Sequence, residues 1–206
     1  MSQSRQKSPF EFTAGNLCLD FANTVDNRTS GHAKELLTDY SRLLRWGEES
    51  AAITKKIADK LNLLASESPG NAQLTLRHGV QLRDAIYDIF TAVSHRRGIP
   101  TTALATLNKA VQHASDHAEV VNLNRDFAWQ WVLPEIHLDS MLWPVARVAA
   151  DLLTSDELAY VRQCASETCA WLFLDKTKNH RRRWCDMRSC GNRDKARRYY
   201  QRQKAG

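Results

Sequence analysis

Four of the chain's five cysteines lie in its last quarter, at Cys164, Cys169, Cys185 and Cys190, as two C-x4-C pairs separated by fifteen residues. The thiols could be ordinary buried groups, could form two disulfides, or could converge on one ion. Polar residues fill both loops, CASETC and CDMRSC, which speaks against ordinary core cysteines. The amino-terminal run MSQSRQKSPFEF lacks the apolar stretch of a secretory signal. The expected compartment is therefore the reducing cytoplasm, where disulfides are rare. The spacing then predicts one structural Zn2+, whose closed tetrahedral shell takes four thiolates from cysteines paired a few residues apart. Such a shell leaves no open position for water or substrate, so the ion would hold structure and perform no chemistry.

The cysteines coincide with a change in charge. Residues 175–206 hold twelve Lys or Arg against Asp175, Asp186 and Asp194, a net +9, whereas the whole chain is only +6. The first 174 residues are therefore mildly acidic, at −3. A positive excess confined to one end is the footprint of a polyanion binder, because each phosphate neutralised releases condensed counterions. With 206 residues and 43% apolar composition the chain can bury a core. Its most hydrophobic run, 141–153, is interrupted by Arg147 and Asp151, so no membrane partner is expected.

Periodicity makes residues 1–157 a mostly helical body. Leu17, Cys18, Phe21, Ala22 and Val25 recur at helical spacing after Gly15 and Asn16, a turn and a cap. A second helix is expected after Thr38, burying Tyr40, Leu43, Leu44 and Trp46. Ser50 is expected to cap a third, with Ile53, Ile57, Leu61 and Leu64 on one stripe up to Ser68-Pro69-Gly70. The longest helix should run over about 72–96, and Leu104, Leu107, Val111 and Ala114 mark another. The period then changes. Residues 119–123 and 126–133 read as a β-hairpin turning at Asn124-Arg125. Phe127, Trp129 and Trp131 alternate onto one face, expected to pack on the helices because no basic residue interleaves them for base stacking. A helix over 135–153 follows, kinked or broken at Pro144.

From Leu158 the order strand, cysteine loop, strand, basic loop, cysteine loop, helix predicts a treble-clef-like module over 158–206. The fold class is thus mainly α with a small β-hairpin: a helical amino-terminal body plus a carboxy-terminal zinc module. So small a unit has little apolar burial of its own, and zinc would supply on the order of 10 kcal/mol of folding energy.

The segment CASETCAWLFLDKTKNHRRRWCDMRSCGNRDKARRYYQRQK resembles the carboxy-terminal zinc finger of the bacterial CGNR family, whose name is spelled by Cys190, Gly191, Asn192 and Arg193. The GNLCLDFANTV segment and the helical body are similar to ABATE, the stress-induced transcription regulator domain that accompanies this finger. The resemblance implies a regulator that binds DNA, the inference generally drawn for that family from its charge and finger.

Within the basic segment, Arg181, Arg182 and Arg183 directly precede a knuckle and are expected to form a phosphate-facing ridge. On the last helix, Arg193, Arg197 and Tyr200 share a face that Lys204 continues, and Arg198 and Arg202 form a neighbouring row. Arg188 and Lys195 complete the candidate nucleic-acid set, while Ala196 and Tyr199 are expected to pack on the module and Asn192 to cap the helix or secure the knuckle. Double-stranded DNA is the favoured partner. RNA is the alternative, with Tyr199 and Tyr200 stacking on unpaired bases. A third reading makes the finger a protein-interaction module attached to an effector-binding or enzymatic body. Asp20, Asn23, Thr24 and Asn27 gather on a polar side of the first helix, where they would line an effector pocket or satisfy caps and helix contacts. The body is also the part that would form a homodimer. His113 and His117 have helical metal-ligand spacing, but Ala114 stands where a metalloprotease motif needs Glu, and they are expected to flank a solvated face. No phosphate-cradling glycine loop and no nucleophile triad is present, so the chain is read as a non-enzyme.

Overall fold

The computed structural model describes residues 8–131 and 136–204. The chain enters through Gly15, whose φ of 75° turns the backbone into α1 (Leu17–Ala22), capped by the Asn16 side chain. A two-residue ladder, β1 (Val25–Asp26) with β2 (Lys34–Glu35), follows; Val25 belongs to this ladder and not to the helix. Next come α2 (Tyr40–Glu49), α3 (Lys55–Glu67) and α4 (Pro69–Ser94). Asp39 caps α2 and Thr54 caps α3, so Ser50, the expected cap, instead closes the preceding helix. Ser68 ends α3, and Pro69 starts α4 at once, in a first turn where the missing N–H is not needed. At 26 residues α4 spans about 39 Å and is the spine of the body.

After α5 (Thr101–Ser115), β3 (Ala118–Leu123) pairs with β4 (Asp126–Trp131), Val120 facing Trp129 and Asn122 facing Phe127. Asn124, at φ 67°, makes the turn. Trp131 packs on the core, but Phe127 and Trp129 are 73% and 58% exposed, correcting the expected packed face. Arg147 lies over the Trp129 ring at 4.2 Å, a partial cover. The expected continuation of β4 to residue 133 lies outside the described residues, whereas residues 136–141 are loop and turn, so the helix expected from 135 starts only at Leu142. The helix itself, α6 (Leu142–Leu153), begins just before Pro144, so the proline occupies its first turn and produces no kink.

The core gathers around α1, whose Leu19, Phe21 and Ala22 have no exposed surface. Phe21 meets Trp46 of α2 at 4.7 Å between ring centroids, and Ile86, Ile89 and Phe90 of α4 close the other side. Gly47 is required where α2 touches the chain before α6: a Cβ there would lie 2.8 Å from the Met141 Cβ.

A 3₁₀ turn (Asp156–Tyr160) leads into the module. Here β5 (Val161–Gln163) pairs antiparallel with β6 (Leu172–Leu174), and a π-helical turn (Met187–Gly191) runs directly into α7 (Asn192–Lys204). Strand β6 has no separate core. Trp171, Leu172, Phe173 and Leu174 are at most 6% exposed and belong to the same cluster as Phe21 and Trp46. Polar contacts stitch the seam. Asn23 donates to the Leu172 carbonyl (2.8 Å) and accepts its N–H (2.9 Å), while Leu174 N–H reaches Ala14 O (2.8 Å). The Trp171 indole donates to Val25 O at 2.8 Å, and Tyr87 of α4 donates to Ala170 O at 3.1 Å. Among the described residues no helix is long and apolar enough to cross a membrane.

Candidate metal centre and nucleic-acid interface

The ladder of β5 and β6 sets the first cysteine pair. Cys164 N–H donates to Trp171 O at 2.7 Å, closing the knuckle, and Ala165 N–H donates to Arg183 O at 2.8 Å, tying it to the basic loop. Of the second pair, Cys185 precedes the π-helical turn and Cys190 lies in it; the Asp186 side chain accepts the Arg188 N–H and its carbonyl accepts the Gly191 N–H. Asp186 is therefore the cap of this helical run. Asn192 instead donates its amide to Arg188 O, at 3.2 Å, and secures the knuckle.

All four Sγ atoms lie within 4.8 Å of one another, and each cysteine is at most 5% exposed. The Cys169–Cys185 and Cys185–Cys190 sulfurs are 3.6 and 3.7 Å apart. These are not disulfides, whose sulfurs sit near 2 Å. A tetrahedron with Zn–S of about 2.3 Å has an edge of about 3.8 Å, so the sulfurs stand close to zinc spacing. Hydrogen bonding among the crowded thiols pushes Cys169 and Cys185 up and holds Cys164 and Cys190 down, the last also favoured by the Arg193 guanidinium. A divalent cation relieves that competition by letting all four ionise. The donor set fits one structural Zn2+, which supplies folding energy and a fixed scaffold. Cys18, buried in the body core, takes no part; burial pushes its thiol up. His180 is no ligand either, since its Nδ1 engages Asp175 O at 2.8 Å and its ring stacks on Tyr160.

Asp175, at the end of β6, organises the basic loop, a role the sequence reading missed. It is 1% exposed and accepts from Thr177 N–H (3.0 Å), Thr177 Oγ1 (2.6 Å) and Arg182 N–H (2.8 Å). Burial would raise its carboxyl, but these hydrogen bonds outweigh burial and hold it below the ordinary value. The signal was the D-x-T sequence after the LFL strand, which suits a side-chain turn.

The loop arginines then divide. Arg182 points inward, donating to Trp184 O (2.9 Å), Thr13 O (3.1 Å) and Cys185 O, with its guanidinium over the Phe173 ring. Arg181 and Arg183 are exposed. The expected three-residue ridge is thus two arginines separated by an internal brace, because successive side chains of an extended loop point opposite ways.

On α7 the two expected rows also differ. Arg193 donates to Cys190 Sγ at 3.6 Å, and Arg197 is paired with Glu167 of the first knuckle and with Asp194 at 3.1 Å, so this row turns back to the metal centre. Lys195, Arg198 and Arg202 form an exposed stripe at i, i+3 and i+7, of which, among the described residues, only Arg198 has an ion pair, to Asp194 at 2.6 Å. Arg183 and Arg198 both approach the Trp184 ring, at 5.2 and 5.9 Å, so their guanidinium carbons are no more than about 11 Å apart. Loop and helix thus meet at Trp184. Arg188, on the π-helical turn, is exposed as well. Tyr199 and Tyr200 are 60% and 65% exposed and Ala196 is exposed, so the expected packing of Ala196 and Tyr199 on the module is not found. The helix is polar all round and is held at its amino-terminal end.

The proposed effector residues are engaged in local and seam hydrogen bonds. Asp20 accepts Ala14 N–H at 2.9 Å, Asn23 clamps Leu172, Thr24 donates to Phe21 O at 2.8 Å, and Asn27 sits in a turn at φ 51° beside Asp26. Their polar atoms are consumed in joining α1 to its surroundings. His113 is exposed, as expected of a solvated face, and bonds Asp139 at 2.7 Å, whereas His117 is half-buried and stacks on Trp143 at 4.1 Å.

With this geometry in hand, two families match the sequence. Residues 15–156 match ABATE, described as "Putative stress-induced transcription regulator", and residues 160–203 match the CGNR zinc finger. No curated protein matches the chain.

Proposed function

We propose, because the chain belongs to the ABATE family and ends in a CGNR zinc finger, that it is a cytoplasmic, non-catalytic transcription regulator that binds double-stranded DNA. The observation that carries the reading is the meeting of Arg183 of the loop and Arg198 of α7 at Trp184, with Arg181, Lys195 and Arg202 exposed on the same two elements. A metal-fixed backbone lowers the entropy lost when such side chains clamp phosphates. Phosphate contacts would set the register of the helix, and one or two arginines reaching guanine edges would give base preference. Arg182, Arg193 and Arg197 act one layer back, holding the loop and helix in place.

The test is the salt dependence of binding to duplex by the zinc-loaded protein. With about five phosphates neutralised, log K should fall with log salt at a slope near −4.5, and Arg181→Ala with Arg183→Ala should remove roughly two units of it. Absent or salt-independent binding overturns the reading.

The exposed Tyr199 and Tyr200 favour a second reading, in which the same loop and helix take structured RNA and the tyrosines stack on unpaired bases. Competition between duplex DNA and a stem-loop RNA separates them. Preference for RNA that disappears on Tyr200→Ala would replace the DNA proposal.

A further inference from the structure

A cleft of about 400 Å³ lies between α4, α5 and the first turn of α6. That volume is within the range of small-molecule sites. Its floor is apolar, formed by Leu82, Leu142 and Trp143. Trp143 is 1% exposed, yet its indole N–H has no hydrogen-bond partner among the described residues. A buried donor left unpaired costs about 1–3 kcal/mol, and this one belongs to a side chain that lines open space. The His117 ring covers one face of the indole at 4.1 Å and the rings of His113, Trp131 and His137 crowd it further, so a ligand would meet only the narrow edge left at the cleft.

The wall sets the cation of Lys109 beside the neutral polar groups of Gln81 and Thr106. Lys109 reaches the cleft from α5 and has no ion pair among the described residues; His78 adds a second nitrogen group from α4. Asp139 is the carboxylate of the lining, and it is already engaged by His113. Helix α6 starts without a side-chain cap, and its first two residues line the cleft, adding the positive end of its dipole. What remains unsatisfied calls for an acceptor carrying negative charge above a flat apolar body.

We infer that this cleft binds a small aryl carboxylate, its ring on the floor of Leu82, Leu142 and Trp143 and its carboxylate at Lys109. The site has a direct mechanical route to the module. Helix α4 carries His78 and Leu82 of the cleft and, further along, Tyr87, and is closed by His95 as its C-cap; these last two bond Ala170 O (3.1 Å) and the Gln163 side chain (2.8 Å). Filling the cleft loads the helix that braces the first cysteine knuckle, and the bound anion changes the affinity of the basic loop and helix for DNA. That regulatory half rests on the DNA-binding proposal; the binding half does not.

The test is calorimetric titration of the full zinc-loaded chain with 2-naphthoate and with its neutral counterpart, 2-naphthamide. The expected result is saturable binding of the carboxylate, with the amide at least about tenfold weaker. Lys109→Gln, at an exposed position, should weaken the carboxylate roughly tenfold and leave the amide unchanged, since an anion loses a charged donor and the amide does not. The Trp143 indole N–H resonance should shift on saturation, which reports the location without any substitution. Absence of saturable carboxylate binding, equal affinity for acid and amide, or indifference to Lys109→Gln overturns the site. A carboxylate that binds without changing DNA affinity overturns the regulatory half alone. Ligand binding in a protein that binds no duplex would leave the cleft standing and refute the DNA reading.

Discussion

Removing the metal is expected to unfold the helical body along with the module. The module's strand β6 is part of the body's core: Trp171, Leu172, Phe173 and Leu174 are each at most 6% exposed, packed in one cluster with Phe21, Trp46 and Phe90. At about 1.5–3 kcal/mol for each large apolar side chain buried, that strand contributes about 6–12 kcal/mol, an upper estimate. The net stability of a whole domain is only about 5–15 kcal/mol. Zinc binding in comparable small modules is worth about 10–16 kcal/mol, and without the ion nothing pulls the cysteine loops together at the ends of β5 and β6. Losing the ion therefore subtracts an amount comparable to everything that holds the chain folded. The measurement is urea unfolding, followed by near-ultraviolet circular dichroism, of the zinc-loaded protein and of protein stripped with a chelator under reducing conditions. The loaded form should show one cooperative transition. The stripped form should lose its near-ultraviolet signal and its transition together. A stripped body that still unfolds cooperatively, with a stability within about 1 kcal/mol of the loaded form, would refute the shared-core argument.

Asn23→Ala removes both hydrogen bonds to Leu172 and leaves two buried backbone groups unpaired, so it should cost about 3–5 kcal/mol in the same urea assay and speed zinc loss to a chromogenic chelator. A cost under 1 kcal/mol would show that the seam is held elsewhere. Arg182→Ala should destabilise the module by about 2–4 kcal/mol because three carbonyls lose a charged donor, whereas Arg183→Ala should leave stability within about 0.5 kcal/mol and weaken duplex binding. Equal stabilities for the two variants would reject the division of the arginine run. Burial pushes the Asp20 carboxyl up to about 6 from 3.8. Its folded value lies above its unfolded one, so its ionisation costs stability that is intact below the unfolded value and lost as pH rises toward 6. Asp20→Asn should therefore gain on the parent by about 1 kcal/mol between pH 5 and pH 7, and a flat difference would contradict the assignment.

The metal site was legible in the sequence because its constraint is local: cysteine pairs at fixed spacing close knuckles wherever the rest of the chain lies. Most helices were legible for the same reason, as apolar stripes of helical period. Choices between equivalent local signals were not. Ser50 and Thr54 are both competent caps, and Trp46 and Gly47 settle the matter by packing α2 through that point. The role of Asn23 depends on a partner 149 residues away, so its polarity suggested a pocket when it served a seam. The alternation of Phe127 and Trp129 identifies a face but not what covers it. Among Arg181, Arg182 and Arg183 the sequence is uniform, and only the loop conformation imposed by Asp175 distinguishes the inward residue from its neighbours.

Helix α7 leaves the metal centre with no joint between them, since Cys190 lies in the π-helical turn that continues into it. The helix is a cantilever of 13 residues, about 20 Å long, clamped at one end. Angular error at the clamp is multiplied along it. A tilt of about 10° at the cysteines would carry the far end by about 3.5 Å, close to the rise of one base pair. Angular rigidity of the tetrahedral shell therefore sets how closely the position of Arg202 is fixed. A metal with a different preferred geometry, bound by the same four sulfurs, would redirect the arm without altering a single residue on it.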